Sequence, residues 1–233
     1  MPVSLLEPID PAKSTIVIVD DHPVLRRGLT ALINFQTDLV VCGEAADYPT
    51  ALEAVHTHQP DLVIIELELR NKDGLALVKI LKMRHPLIRL LVLTMHDESL
   101  YAERSLRAGA AGYITKQQLD ETLLIAIRCV LAGEIYMSVQ LQVRLAVKCI
   151  GHQIQSLDSS PDSLSDRELQ VFRLIGEGRS TRQIAEDLFL SIKTIESHRE
   201  HIKSKLAINS SGQLVQRATL WLHGCKSSLR PPD

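Results

Sequence analysis

The stretch Pro60-Asp61-Leu62-Val63-Ile64-Ile65-Glu66 decides how the first half of the chain folds. Its run of consecutive apolar residues lacks the alternation of a half-solvated strand and is typical of a parallel strand buried on both faces. Glu66 follows at once, at the end of the strand, where open α/β sheets place their functional groups. We therefore expect the Glu66 carboxylate to lie in a site at the carboxyl edge of a parallel sheet.

Short apolar runs alternate with amphipathic stretches on both sides of this segment. The apolar runs are 16–19, 39–42, 62–65, 88–93 and 111–114, and helical spacing is found near 24–35, 48–58, 75–84, 99–108 and 119–131. Five strand-helix units in about 120 residues predict a doubly wound, five-stranded parallel sheet with right-handed crossovers.

Composition bounds the class of protein. A chain of 233 residues is long enough for two domains. No apolar run approaches the roughly eighteen residues of a membrane span, and the first residues do not resemble a secretory signal, so we expect a cytoplasmic protein. The 4 cysteines lie far apart without metal-ligand spacing, which favours reduced thiols over disulfides or zinc.

Polar residues stand at the ends of the predicted strands. Asp20 and Asp21 follow the first strand, Glu66 the third, Thr94 the fourth and Lys116 the fifth. Three carboxylates raise one another's pKa unless a cation joins them, and Mg²⁺ at Asp20, Asp21 and Glu66 is the candidate, with no other cofactor required. Lys116 and Thr94 are suited to hold a phosphoryl group.

These residues fall in motifs that resemble the receiver domain of bacterial response regulators, over residues 14–132. The motifs are Val19-Asp20-Asp21-His22-Pro23, the stretch from Pro60 to Glu66 with Asp73-Gly74 after it, Leu93-Thr94-Met95, and Gly112-Tyr113-Ile114-Thr115-Lys116. The resemblance implies that Asp20 and Asp21 bind a metal, that Thr94 and Tyr113 are switch residues, and that Lys116 faces the phosphate. It also places Glu66 where the family has its phosphoacceptor aspartate.

Three residues depart from the family pattern. They are Glu66, Arg70 where proline usually follows the acceptor, and Gln117 where proline usually follows the lysine. Glutamate extends its carboxylate by about 1.5 Å, and a displacement near 1 Å costs an in-line transfer about a hundredfold. We expect Glu66 to pair with Lys116 and Thr94 instead, in a regulator that acts without phosphorylation and is biased toward its active arrangement.

Other interpretations of the pocket stay open. It is inert in one of them, and in another it senses a small ligand or a partner protein. A third is a Mg²⁺-dependent phosphoryl hydrolase, which lacks a well-placed nucleophile and leaves the second half of the chain without a role. A cognate sensor kinase is not identified by the sequence.

The second half carries the signals of closely spaced helices. Ser165 with Glu168, and Ser180 with Gln183, each fit a capping box, so a helix begins at each serine. Ser191 caps a third helix with Ile195, Ile202 and Leu206 along one face. A short helix, a tight turn and a polar-faced helix predict a helix-turn-helix in an all-α, four-helix domain.

This segment, 164–223 as a domain, resembles the LuxR-type helix-turn-helix of the NarL/FixJ response regulators. The motifs are Leu164-Ser165-Asp166-Arg167-Glu168, Ser191-Ile192-Lys193-Thr194-Ile195 and His198-Arg199 through Lys205-Leu206. Double-stranded DNA is then the expected partner. The predicted DNA contacts are Thr181, Arg182, Lys193, Thr194, Glu196, Ser197, His198, Arg199, Glu200, Lys203 and Lys205.

Roles within this set follow from side-chain chemistry. Lys193, Arg199, Lys203 and Lys205 are expected at phosphates, whereas Glu196, Ser197 and Glu200 are expected at base edges. His198 is either a phosphate contact or a packed residue.

The remaining features of the sequence predict how the two domains are joined and how copies of the chain assemble. Residues 133–163 read as a linker helix, near 138–150, and a flexible linker. One reading helix gives modest affinity, so we expect a homodimer on a palindromic site. The segment 212–222, with Leu214, Val215, Ala218 and Trp221, is the candidate contact, and packing of these residues in the core of their own domain is the alternative. RNA polymerase is a further candidate partner.

Overall fold

The computed structural model describes residues 13–69, 72–119, 121–151 and 161–227, and the chain divides into two compact units between Val147 and Lys148. Arg70 and most of the predicted flexible linker lie outside the described residues. No helix in the described part of the chain is long and apolar enough to span a membrane.

The first unit alternates strands and helices. Its elements are β1 (Ser14–Val19), α1 (Pro23–Asn34), β2 (Leu39–Ala45), α2 (Tyr48–His58), β3 (Leu62–Ile65), β4 (Glu68–Leu69), β5 (Lys72–Asp73), α3 (Gly74–Arg84), β6 (Arg89–Thr94), α4 (Glu98–Ala108), β7 (Gly112–Thr115), α5 (Glu121–Leu131) and α6 (Val139–Gly151). Five strands form one parallel sheet in the order β2-β1-β3-β6-β7. The predicted doubly wound sheet is confirmed.

Strand β3 lies in the middle of this sheet, as its composition predicts. All of its side chains are buried, and it pairs in parallel with β1 on one side and β6 on the other. Because the strands run parallel, their carboxyl ends meet at one edge. That edge brings together the residues that follow β1, β3, β6 and β7.

A small antiparallel hairpin of β4 and β5, which the sequence did not predict, follows β3. Gly74 closes it against the end of β3, where its backbone N–H donates to the carbonyl of Leu67 at 2.8 Å. A Cβ added to Gly74 would lie 2.3 Å from the carbonyl oxygen of Glu66. Only glycine permits this approach, so Gly74 helps to set the position of Glu66.

The second unit is helical. Its elements are α7 (Asp166–Gly176), α8 (Thr181–Asp187), α9 (Ile192–Lys205) and α10 (Ser211–Ser227). Both predicted capping boxes are present, at Ser165 and Ser180, and Ser191 accepts a hydrogen bond from the Thr194 N–H at the start of α9. The four-helix architecture with a helix-turn-helix is therefore confirmed.

The face of α10 shows where the residues of the candidate dimer contact lie. Leu214 and Ala218 are fully buried, and the Trp221 ring packs on Phe172 with 5.3 Å between ring centroids. Leu214 and Ala218 therefore belong to the core of their own unit, and Trp221 is half-buried beside it. Val215 alone among the predicted contacts of this segment is substantially exposed.

Candidate functional site

The centre of the site is a buried ion pair between Glu66 and Lys116. Glu66 follows β3 and Lys116 follows β7. The Lys116 Nζ lies 2.6 Å from the Glu66 Oε2 and 2.6 Å from the Asp20 Oδ2, and all three side chains are almost fully buried. One ammonium group therefore joins two carboxylates from different strands, as expected for Lys116 and Glu66.

The second oxygen of Glu66 is occupied as well. Its Oε1 accepts a hydrogen bond from the Thr94 hydroxyl, and another from the backbone N–H of Glu68 at 3.0 Å. Thr94 is the last residue of β6, and Glu68 is the first residue of the β4–β5 hairpin. Both oxygens of the carboxylate are thus held by protein donors.

Electrostatics favour a charged lysine in this pocket. Burial disfavours the ammonium, but the hydrogen bonds and charges of Asp20 and Glu66 outweigh it, so the pKa of Lys116 is raised above its ordinary value. A buried ion that loses its partner is left uncompensated, which costs several kcal/mol.

His22 is a site residue that the sequence reasoning missed. Its Nδ1 lies 3.2 Å from the Asp20 Oδ1 and 3.0 Å from the Asp21 Oδ1. The two aspartates were expected from their position after β1, and the side chain of the next residue folds back onto them. Its place within the motif Asp20-Asp21-His22 was the available signal.

A metal ion fits part of the predicted ligand set. Among the described residues, the group whose ligand atoms lie within 4.8 Å of one another is Asp20, Asp21 and His22, not Glu66. The oxygens of the acidic pair suit a hard divalent ion. Glu66 is not in that group, and its oxygens accept from Lys116, Thr94 and Glu68.

The aromatic switch candidate Tyr113 is buried in β7. Its hydroxyl donates to the carbonyl of His96 at 3.0 Å, and the His96 ring stacks on Tyr101 of α4 with 4.6 Å between centroids. Burial raises the pKa of Tyr113 well above its usual value, with a smaller contribution from nearby acidic groups. His96, two residues after β6, thereby connects β7 to α4. The peptide bond before Gln117 is trans, as its sequence predicts.

The α9 helix separates apolar from polar residues as predicted. Ile195, Ile202 and Leu206 are buried. The exposed residues on the other face include four of the predicted DNA contacts, Lys193, Glu196, Ser197 and Glu200. Thr194, His198, Arg199 and Lys203 are half-buried at the edges of that face.

Two lysines near the end of α9 have partners within the domain. The Lys203 Nζ lies 2.8 Å from the Glu200 Oε1, and the Lys205 Nζ lies 2.7 Å from the Oε2 of buried Glu168. Glu168 also accepts from the Ser165 N–H in the capping box at 2.7 Å. Lys205 thus ties the end of α9 to the beginning of α7.

The turn before α9 is held by α7. Arg167 donates to the carbonyl of Leu188 at 2.9 Å, which fixes the end of α8. At the beginning of α8, Thr181 is half-buried, and the exposed Arg182 pairs with Glu186 at 3.1 Å.

Burial, followed by the charge of Arg167, lowers the pKa of His198. His198 is therefore predominantly neutral at pH 7, which favours packing over a charged phosphate contact.

Comparison with known proteins agrees with this architecture. Residues 16–128 match the response regulator receiver domain, and residues 162–218 match the luxR family of bacterial regulatory proteins. The oxygen regulatory protein NreC of Staphylococcus haemolyticus is 40% identical over 207 residues, which cover 87% of this chain and 95% of NreC.

Solved structures agree as well. A LuxR-family two-component response regulator from Aurantimonas sp. SI85-9A1 is 33% identical, with a TM-score of 0.55 over 59% of this chain and 99% of that one. RcsB from Salmonella enterica serovar Typhimurium, bound to the promoter rprA in the presence of phosphomimetic BeF3-, is 25% identical, with a TM-score of 0.63 over 89% and 98%. The chain therefore belongs to the two-component response regulators that combine a receiver domain with a LuxR-family DNA-binding domain, and it is a transcription factor of that family.

Proposed function

We propose that this transcription factor controls DNA binding without phosphorylation of its receiver. The observation that carries the proposal is the Glu66 carboxylate, held at once by the Lys116 ammonium and the Thr94 hydroxyl. A phosphoryl group on a shorter acceptor would offer its oxygens to the same two residues. The glutamate supplies one charge where a phosphate carries about −1.5 to −2, so it reproduces part of that arrangement and makes it permanent.

The same contacts argue against transfer of phosphate to Glu66. In-line attack needs a carboxylate oxygen that is free to reach the phosphorus, and here both oxygens accept hydrogen bonds or ion pairs. We further propose Asp20 and Asp21, without Glu66, as the ligands of any Mg²⁺ that binds. Such an ion would supply positive charge at the edge of the pocket, and it would share the Asp20 carboxylate with Lys116.

Double-stranded DNA is the proposed ligand of the second unit, and α9 the reading helix. We assign Glu196, Ser197 and Glu200 to base edges. Lys193, Thr194, Arg199 and Lys203, together with Thr181 and Arg182 at the start of α8, are assigned to phosphates. Lys205 is assigned instead to its pair with Glu168. A homodimer on a palindromic site is the proposed assembly, with RNA polymerase as a further partner.

The test treats the full chain with an acyl phosphate donor and measures intact mass and DNA affinity. We expect no adduct and unchanged affinity. Glu66→Ala is expected to lower dimerisation and DNA binding, whereas Glu66→Asp keeps the charge and is expected to retain more of both. A stoichiometric phosphate adduct with enhanced DNA binding would refute the proposal. No change in either variant would mean that the pocket is inert.

A further inference from the structure

A stripe of exposed valines runs along the part of α6 that belongs to the first unit. Val139, Val143 and Val147 are 70%, 57% and 62% exposed. Their spacing of four residues places them on one side of the helix, one turn apart. We call these three side chains the valine stripe.

The stripe is presented by a helix whose other side is anchored. Leu141 is 1% exposed and packs into the first unit. At the start of the helix, Ser138 donates to the Glu98 carboxylate at 2.6 Å and accepts from the Leu141 N–H at 3.1 Å. The helix therefore has a fixed rotation, and within the described residues its outward side carries the stripe uncovered.

The surroundings of the stripe are suited to a protein contact. Across 139–147 Arg144 is the one charged residue, and it is half-buried; the exposed neighbours are Gln140, Gln142 and Ala146. A solvated helix face is normally rich in charge. Valines lose little side-chain entropy on packing, and the exposed residues between them are neutral, which allows close approach without burying an unpaired charge; Lys148 lies beyond the last valine.

We propose that the valine stripe is a contact with a second copy of this chain. In a two-fold dimer the same patch meets itself, and a neutral apolar stripe is complementary to its own copy. Val143, at its centre, would face Val143 of the second copy whether the two helices run parallel or antiparallel. Three valines are far fewer than the about 20–30 residues a side of a standard interface, so the stripe forms one segment of the dimer contact.

The position of the stripe gives it a consequence for DNA binding. The division between the two compact units falls directly after Val147. Pairing at the stripe would join two copies through the helix that precedes the DNA-binding helices in sequence, which raises the effective concentration of the second reading helix at a half-site. This consequence rests on the proposed function, but the dimer contact itself can be measured without DNA.

The first experiment compares the full chain with Val143→Asp by sedimentation equilibrium. A matched control is Val24→Asp on α1, since Val24 is 84% exposed and lies outside the stripe. A buried, unpaired carboxylate in the contact is expected to raise the dimer dissociation constant at least about tenfold, and the control should leave it unchanged. A monomeric wild-type chain, an unchanged constant for Val143→Asp, or equal weakening by both variants would overturn the proposal.

The second experiment locates the contact. Val143→Cys is oxidised in the otherwise native chain, with Val24→Cys as the control, so the native cysteines are the same in both. Disulfide-linked dimers are expected from Val143→Cys alone, because facing residues near a two-fold axis can meet disulfide geometry. Equal cross-linking of both variants would contradict the assignment. So would altered DNA binding by Val143→Asp with unchanged dimerisation, which would place the stripe against its own chain.

Discussion

A single carboxylate organises the receiver pocket at the scale of residues. Glu66 has donors on both of its oxygens, from β6, from β7 and from its own following hairpin. Under the proposed function, the extra methylene relative to aspartate brings the anion within contact of Lys116 and Thr94, and the pocket holds its charge by covalent structure instead of by a transient modification.

Thr94→Val tests how much the hydroxyl contributes to this arrangement. Valine keeps the shape of threonine but leaves a buried Glu66 oxygen without one of its donors, so the free energy of unfolding should fall by about 1–3 kcal/mol. The control is Thr30→Val, which removes a hydroxyl that donates to Glu44 at the surface and should cost at most about 0.5 kcal/mol. Urea unfolding followed by circular dichroism measures both. Equal losses would show that the Thr94 hydrogen bond contributes no more to the free energy of unfolding than one at the surface.

A second residue-scale prediction concerns Ala207. It has a φ of 53° after α9, in the left-handed region that favours glycine. Ala207→Gly should therefore stabilise the second unit by about 0.5–1 kcal/mol. Gly178, with a φ of 81° and open space around it, supplies the reverse test, since Gly178→Ala should destabilise by about 1–2 kcal/mol. Fluorescence of Trp221, the chain's 1 tryptophan, reports both during urea unfolding. The same sign of change in both variants would contradict the backbone argument.

At the scale of elements, the sequence predicts what is encoded by neighbouring residues. The bounds of β3 and α2 match their predicted ranges, because a buried apolar run and a helical spacing are local patterns. The capping boxes at Ser165 and Ser180 were predicted for the same reason: donor and acceptor stand three residues apart. The parallel sheet with right-handed crossovers was predicted as well, whereas the order of its strands was not.

Contacts between residues that are distant in sequence were harder to predict from the sequence. Lys205 and Glu168 are 37 residues apart, and nothing in the local pattern of α9 distinguishes a lysine at phosphate from a lysine at a buried carboxylate. Leu214 and Ala218 show the same limit, since an amphipathic face indicates burial but not whether the partner is its own core or a second copy. In the pocket, the pairing of Glu66 with Lys116 was predicted, whereas the approach of His22 to the aspartates depends on its side-chain rotamer.

The ion pair between Glu168 on α7 and Lys205 on α9 predicts how the free energy of unfolding depends on pH. Burial raises the pKa of Glu168, but Lys205 and the Ser165 N–H lower it more, so its pKa lies below the ordinary value of 4.5. A folded-state pKa below the unfolded one adds stability above about pH 4.5, and that stability is lost as the pH falls through the folded value.

Glu168→Gln and Lys205→Met should each remove this contribution. We expect a loss of about 1–3 kcal/mol at pH 7, toward the lower end for Lys205→Met because Lys205 is partly exposed. Below pH 4 the difference from wild type should shrink. Trp221 fluorescence in urea at a series of pH values measures it. A constant difference across that range would show that Glu168 does not titrate with folding.

At the scale of the whole molecule, charge is distributed unequally between the halves. Residues 1–161 hold 15 Lys+Arg against 19 Asp+Glu, a net charge of −4, and residues 162–233 hold 11 against 9, a net charge of +2. Long-range attraction to DNA is therefore weak, and affinity depends on which cations of the second unit reach phosphates. The salt dependence of the binding constant measures the number of those cations. Each phosphate contact releases counterions and contributes about 0.9 to the slope of log K against log salt on B-DNA.

Lys193 and Lys205 form a matched pair for this count, since each lies on α9 and carries one charge. Lys193 is exposed on the face assigned to DNA, so Lys193→Ala should reduce the slope of log K against log salt by about 1. Lys205 is held by Glu168, so Lys205→Ala should leave the slope nearly unchanged while lowering the unfolding free energy. Salt titrations of a labelled duplex measure both slopes. Equal reductions would show that Lys205 contacts a phosphate and that its ion pair with Glu168 opens when α9 enters the groove.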